Sequence, residues 1–342
     1  MPIGGDENTH DNRRLDLLVT ICVFAVASWI TTSLRVYVRL RMIQGQSLRR
    51  EDWVMVACQA CFTLHFIFQG IGWHYGNGIH IADLETSNAE KALLHWWLAG
   101  MFYIWGSTLV KVSIGMLLLH FITNRFQRFL VYNVTFNCIV LGAAYSILLI
   151  FDCKPISYWW NLDPLAKGTC LPSKAFLIIG YVIAGLNAIA DCTYAIVPFI
   201  IMSNTTMDVR TRAVVCGILG IGSITCIVTF IRIPFGHAFE GYKGDFLWAT
   251  TPIAIFSTME LGLGIVAANC ATFRPIFQHF FPNSFISHDA PPMAESAPTA
   301  HTHTDEEKAE PKPIVIAERK KPRFSRINAK TGIASLSGTE DQ

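Results

Sequence analysis

Four ionisable side chains stand inside long apolar runs of this chain. They are Lys111 in "VKVSIGMLLL", Asp191 in "NAIADCTYAIVP", Arg232 in "TFIRIPF" and Glu260 in "STMELGLGIV". A charge at the centre of a bilayer costs about 2.5–3.5 kcal/mol on insertion scales, so such residues turn into a helix bundle and find partners there. Two readings stand side by side: a polar clamp that fixes helix packing, or a ligand or ion site. Asn187, in the same apolar run as Asp191, belongs to the same candidate cluster. Arg232 lies near enough to one end of its run to snorkel towards the headgroups.

A second candidate is the pair Cys153 and Cys170. Both fall in one short loop on the side expected to face out, where an oxidising compartment favours a disulfide. The other cysteines, among them Cys22, Cys58, Cys192 and Cys216, fall within apolar runs and are expected to pack as small hydrophobes. The ten cysteines are too scattered for a zinc framework. His74, His80 and His95 cluster near the ends of two runs, but nothing in their spacing forces three ligands to converge on a metal. "YGNGIH" reads as a glycine turn. His65 and His120 fit packing or a polar contact better than haem ligation. The chain has no H-E-x-x-H, P-loop or dinucleotide fingerprint. Neither a metal, a cofactor nor a nucleic-acid partner is expected.

The elements that must position these residues follow from composition. Of 342 residues, 52% are hydrophobic and only 15% charged, against about a quarter charged in a soluble domain. Apolar runs long enough to cross a core of about 30 Å as a helix recur along the chain. Spans are expected at 15–38, 53–75, 97–120, 130–152, 174–203, 213–234 and 248–271, giving an all-α, polytopic bundle of seven transmembrane helices. Arg39, Arg41, Arg49 and Arg50 lie in the first loop, Arg125 and Arg128 in the third, and Arg210 and Arg212 in the fifth. The even loops hold few basic residues and several acids, including Asp83, Glu85, Glu90 and Asp245. The positive-inside rule then places residues 1–14 outside and the carboxy terminus in the cytoplasm. The membrane domain is expected over 15–280. Residues 283–342, rich in Pro, Ala, Ser, Thr and charge, read as a disordered cytoplasmic tail. Its "RKKPRFSR" run suits anionic lipid, with phosphorylation of Ser325 as a switch, and the tail is also the place for a cytoplasmic signalling partner.

The ordered features resemble the fungal rhodopsin-like integral membrane family, also called the SAT4 family, which is related to the Pth11-type receptor-like proteins. The matching stretches are "EDW" opening the second span, "YGNGIH" after it, "VKVSI" in the third, "CKPISYWWN" and "GTC" in the fourth loop, "DCTYAIVP" in the fifth, Arg232, and Glu260 followed by "FRP". Glu51 stands where an aspartate is common, Asn161 where an acid is common, and Ala271 where a proline is frequent. The resemblance implies that the third, fifth and seventh spans are neighbours, so that Lys111 pairs with Glu260 or Asp191. It also implies a receptor-like or sensor-like protein binding a small apolar ligand. The alternative is a membrane enzyme or accessory protein of a secondary-metabolite pathway. A plasma membrane or endomembrane location fits either. Retinal photochemistry is not expected, because span seven, "WATTPIAIFSTMELGLGIVAANCATF", lacks the Schiff-base lysine.

Overall fold

The computed structural model describes residues 13–42, 48–120, 122, 124–163, 165–203, 224–241 and 245–273, all within the first of two units, Met1–His288. The second unit, Asp289–Gln342, lies outside the described residues. So do Arg210, Arg212, the first half of the expected sixth span and the whole expected tail.

The helices are α1 (Arg14–Tyr37), α2 (Arg50–Tyr75), α3 (Thr86–Leu119), α4 (Arg125–Phe151) and α5 (Ser173–Ser203). An apolar helix α6 (Ile224–Gly236) follows, then a single turn α7 (Phe246–Ala249) and α8 (Thr251–Cys270). Helices α1 to α5, and α7 with α8 taken together, are six segments long and apolar enough to cross a membrane, with α6 as a shorter apolar helix. This is a seven-helix membrane bundle. On α1 the side chains of Val19, Val23, Val26 and Ile30 are all more than half exposed. Their three- and four-residue spacing makes a lipid-facing stripe. In water such a patch would be an aggregation liability.

The largest departure from the expected spans is the start of α3, at Thr86 rather than near 97. Its 34 residues at 1.5 Å rise run about 51 Å, well beyond the hydrocarbon thickness. Glu90, Lys91 and His95 lower the hydropathy of the first turns without breaking the helix, so a hydropathy reading places the start too late. The overhang carries Trp96 and Trp97 up to the loop between α4 and α5. In that loop β1 (Cys153–Lys154) pairs antiparallel with β2 (Thr169–Cys170), with Cys153 opposite Cys170, and the two cysteines form a disulfide. Trp159 from this loop is buried and stacks on Trp96, ring centroids 5.7 Å apart, while Phe246 meets Trp159 edge-on. The loop is thus a roof over one end of the bundle, called here the disulfide end.

Close helix contacts rest on small residues, as membrane packing requires when apolar burial drives nothing. A Cβ on Gly106 of α3 would come within 2.7 Å of Leu261 on α8, and one on Gly262 within 2.6 Å of Phe24 on α1. The turn after α2 uses Gly76 and Gly78 at φ 126° and 91°, a region where a side chain is strained.

At the opposite end, Arg35 of α1 is buried and holds Asp52 of α2 through Nε at 2.9 Å. It also donates from Nη1 to the carbonyl oxygen of Ala268 on α8 at 3.1 Å. Arg39 Nε approaches the other Asp52 oxygen at 3.4 Å. Asp52 in turn accepts the Arg49 N–H at 3.1 Å, which caps α2 and sets a negative charge at its positive pole.

Asp152, which ends α4 beside the disulfide, sits in a half-buried position. Desolvation lifts its carboxyl from the usual 3.8 to about 6, against a hydrogen bond with Trp159 that works the other way. Between about pH 4 and 6 the folded protein therefore holds more protons at this site than the unfolded chain, and its contribution to stability falls as pH rises through that window. Asp152→Asn should raise the unfolding temperature at neutral pH and leave it nearly unchanged near pH 4, measured by thermal unfolding in detergent across pH.

Candidate functional site

The five polar residues expected in the membrane meet at one point. Lys111 Nζ lies 3.1 Å from Asp191 Oδ1 and 3.5 Å from Glu260 Oε1, and it donates to Ser107 Oγ at 3.0 Å. Arg232 Nη1 lies 3.6 Å from Glu260 Oε2, donates to Ser257 Oγ at 3.0 Å and bonds the Tyr103 hydroxyl. The Tyr103 hydroxyl donates to Glu260 Oε2 at 2.8 Å, and Asn187 Nδ2 donates to Glu260 Oε1 at 3.2 Å. Thr229 donates to Asp191 Oδ2 at 3.0 Å. The Arg232 side chain, expected to snorkel, instead turns inward, because the ring of Tyr103 lies under its guanidinium and Glu260 offers a counter-charge in the interior.

Each contributing helix supplies its residues on one face. Tyr103, Ser107 and Lys111 follow each other by four residues on α3, as do Asn187 and Asp191 on α5. Thr229 and Arg232 on α6, and Ser257 and Glu260 on α8, follow by three. That periodicity was the available signal for Tyr103, Ser107, Thr229 and Ser257, which a search for charged residues passes over. Arg35 and Asp52 stand near span ends, where charge is cheap, so their charge alone does not single them out.

Above the cluster, towards the disulfide end, lies a cavity of about 170 Å³. Lys111, Arg232, Asn187, Tyr103 and Ser107 form its polar wall. Glu260 and Asp191 are not among its lining residues, so the cavity meets the cations and amides rather than the carboxylates. The remainder is mostly apolar or aromatic, with Trp96, Phe176 and Phe239 near the roof. His65 and Gln69 line the α2 side. His65 spans α3 and α8, with Nδ1 2.9 Å from the Ala99 carbonyl and Nε2 3.1 Å from Thr258 Oγ1. His120, by contrast, bonds within its own helix, to the Met116 carbonyl at 2.8 Å.

His74, His80 and His95 do not converge. His80 pairs with Asp245 and stacks on Trp248, while His74 and His95 each lie against Tyr75. No group of three or more metal-ligating side chains is found among the described residues. Retinal does not fit these residues either. The seventh span, Phe246–Cys270, has no lysine. The lysine that does reach the cavity has its ammonium engaged by Asp191, Glu260 and Ser107.

Breaking one member of a buried ion network strands its partners, at a cost of about 3–5 kcal/mol, whereas losing one hydrogen bond to a charged group costs about 1.5–3 kcal/mol. Arg232→Met should therefore destabilise the protein more than Tyr103→Phe, and both more than substitution of a lipid-facing residue such as Val23. Denaturant unfolding in detergent measures all three.

The family model described as Fungal rhodopsin domain matches residues 34–279. No match was found among curated proteins. The matched range takes in the Arg35 lock, the disulfide roof and every member of the charge cluster, so the features that hold this bundle together lie within that domain. The chain is an integral membrane protein that belongs to the fungal rhodopsin-domain family.

Proposed function

We propose that the protein is a receptor-like or sensor-like member of this family, which takes a small, largely apolar ligand into the cavity above the charge cluster and does so without retinal. The observation that supports this reading is the floor of the cavity. A ligand resting on Lys111 and Arg232 touches groups that tie α3, α5, α6 and α8 together. Any contact that favours one spacing of Arg232 and Glu260 over another biases how α6 sits against α8. That is the differential interaction a ligand needs to shift a conformational equilibrium. With the basic odd loops in the cytoplasm, the disulfide end faces out and the cavity lies in the outer half of the membrane. The cytoplasmic tail would then carry the response.

Two glycines test the cavity without touching the charges. Gly100 and Gly180 line it, and a Cβ added to either meets nothing within 4 Å. A larger side chain at Gly180 therefore grows into free space and replaces a helix-weakening residue. Gly180→Leu should melt at or above the wild-type temperature. Mass spectrometry of small molecules retained by protein purified from its host membranes should show an apolar species with the wild type that is lost in Gly180→Leu. Equal retention by both proteins would contradict the reading.

A further inference from the structure

The polar wall of the cavity also specifies the chemistry of what it receives. With all four groups ionised, Lys111 and Arg232 balance Asp191 and Glu260, and the cluster is neutral. Lys111 directs its three hydrogens at Ser107, Asp191 and Glu260. Arg232 uses a single nitrogen, Nη1, for Tyr103, Ser257 and Glu260. Its Nε and Nη2 have no protein acceptor among the described residues. Arg232 is also the more accessible cation, 15% exposed against 5% for Lys111. A guanidinium presents its donors as a rigid fork, and here two of its nitrogens are unspent on a wall of the cavity.

A carboxylate would satisfy that fork, but it would leave a net negative charge in a buried cluster that is already balanced, and an uncompensated buried charge is costly. A carbonyl oxygen accepts from the same nitrogens and adds no charge. On the α2 side, Gln69 is 3% exposed and lines the cavity. Its Oε1 has no hydrogen-bond partner. A buried acceptor left in that state costs about 1–3 kcal/mol, and a donor on the ligand would remove the cost. Gln69 follows His65 by one helical turn on the same face of α2. The rest of the wall is apolar or aromatic.

We infer that the ligand is a neutral, mainly apolar molecule that presents a carbonyl-type acceptor to Arg232 and a hydroxyl-type donor to Gln69. This rests on the cavity being a ligand site, and the test separates the two claims. The probes are a matched set built on one phenyl ring: butylbenzene with no polar group, benzylacetone with a ketone, para-hydroxybenzylacetone with a ketone and a distal hydroxyl, and hydrocinnamate with a carboxylate. Retention is measured by equilibrium dialysis against the full chain in nanodiscs, after subtracting empty nanodiscs.

The expected order is para-hydroxybenzylacetone, then benzylacetone, then butylbenzene, with hydrocinnamate weakest. The ketone should be worth about tenfold over the hydrocarbon, the scale of one hydrogen bond to a charged donor. Arg232→Lys, which keeps the charge and removes the fork, should erase the advantage of benzylacetone over butylbenzene. Gln69→Leu should erase only the further gain from the hydroxyl, and it provides a test should the arginine variant fail to fold. Tightest binding of hydrocinnamate would overturn the neutral head group. Equal binding of all four would overturn polar recognition while leaving the cavity as an apolar site. No retention of any probe by protein that melts cooperatively would overturn both claims.

Discussion

The bundle depends on an electrostatic balance that only the assembled helices can reach. Four groups from four helices, Lys111, Asp191, Arg232 and Glu260, bring two charges of each sign into a space with little water. Each alone would be among the most expensive residues a membrane span can carry. Brought together they sum to zero, and every formal charge has a counter-charge within 3.6 Å. Hydrogen bonds donated by Tyr103, Asn187 and Thr229, and accepted by Ser107 and Ser257, add to the network. Such a network contributes less to net stability than to uniqueness: few other packings of these helices would leave so little charge unpaired.

Two further ties hold the ends. At one end Arg35 links α1, α2 and α8 through Asp52 and the Ala268 carbonyl. At the other the disulfide closes the roof over Trp96 and Phe246. The cavity lies between the roof and the charge cluster. Its two ends are therefore fixed by a covalent bond above and an ion network below, while its middle keeps open space at Gly100 and Gly180. That arrangement suits the proposed ligand site, which would be formed before a ligand arrives, with less ordering cost on binding.

Much of this was legible in the sequence, for identifiable reasons. Charges in apolar runs are rare enough that Lys111, Asp191, Arg232 and Glu260 stand out one by one, while the pairing of Lys111 with Glu260 or Asp191 needed the helix adjacency that the family resemblance implies. The cysteine pair stood out because it fell in one short loop. Other features carried weaker signals. Tyr103 and Ser107 are ordinary membrane residues, and only their four-residue spacing ahead of Lys111 gives them meaning. The inward turn of Arg232 depends on a ring from α3 and a carboxylate from α8, which no local reading supplies. The early start of α3 was hidden because hydropathy reports where lipid is, whereas helix propensity continues past it through "TSNAEKALLHWW". Arg35 carries no signal of its own in the sequence, since the difference between a snorkelling arginine and a buried one lies in the neighbouring helix.

Neutrality of the cluster, more than any one contact, selects this packing of the helices, because an unbalanced charge inside the bundle is costly. A double-mutant cycle on Lys111→Met and Glu260→Gln, read as unfolding free energy in detergent, tests it most directly. Each single change leaves one unbalanced charge, whereas the pair leaves Arg232 and Asp191 in balance. The double variant should be more stable than the sum of the single losses allows, with a coupling of about 0.5–3 kcal/mol. Additive losses would show that Lys111 and Glu260 act independently, and would contradict it.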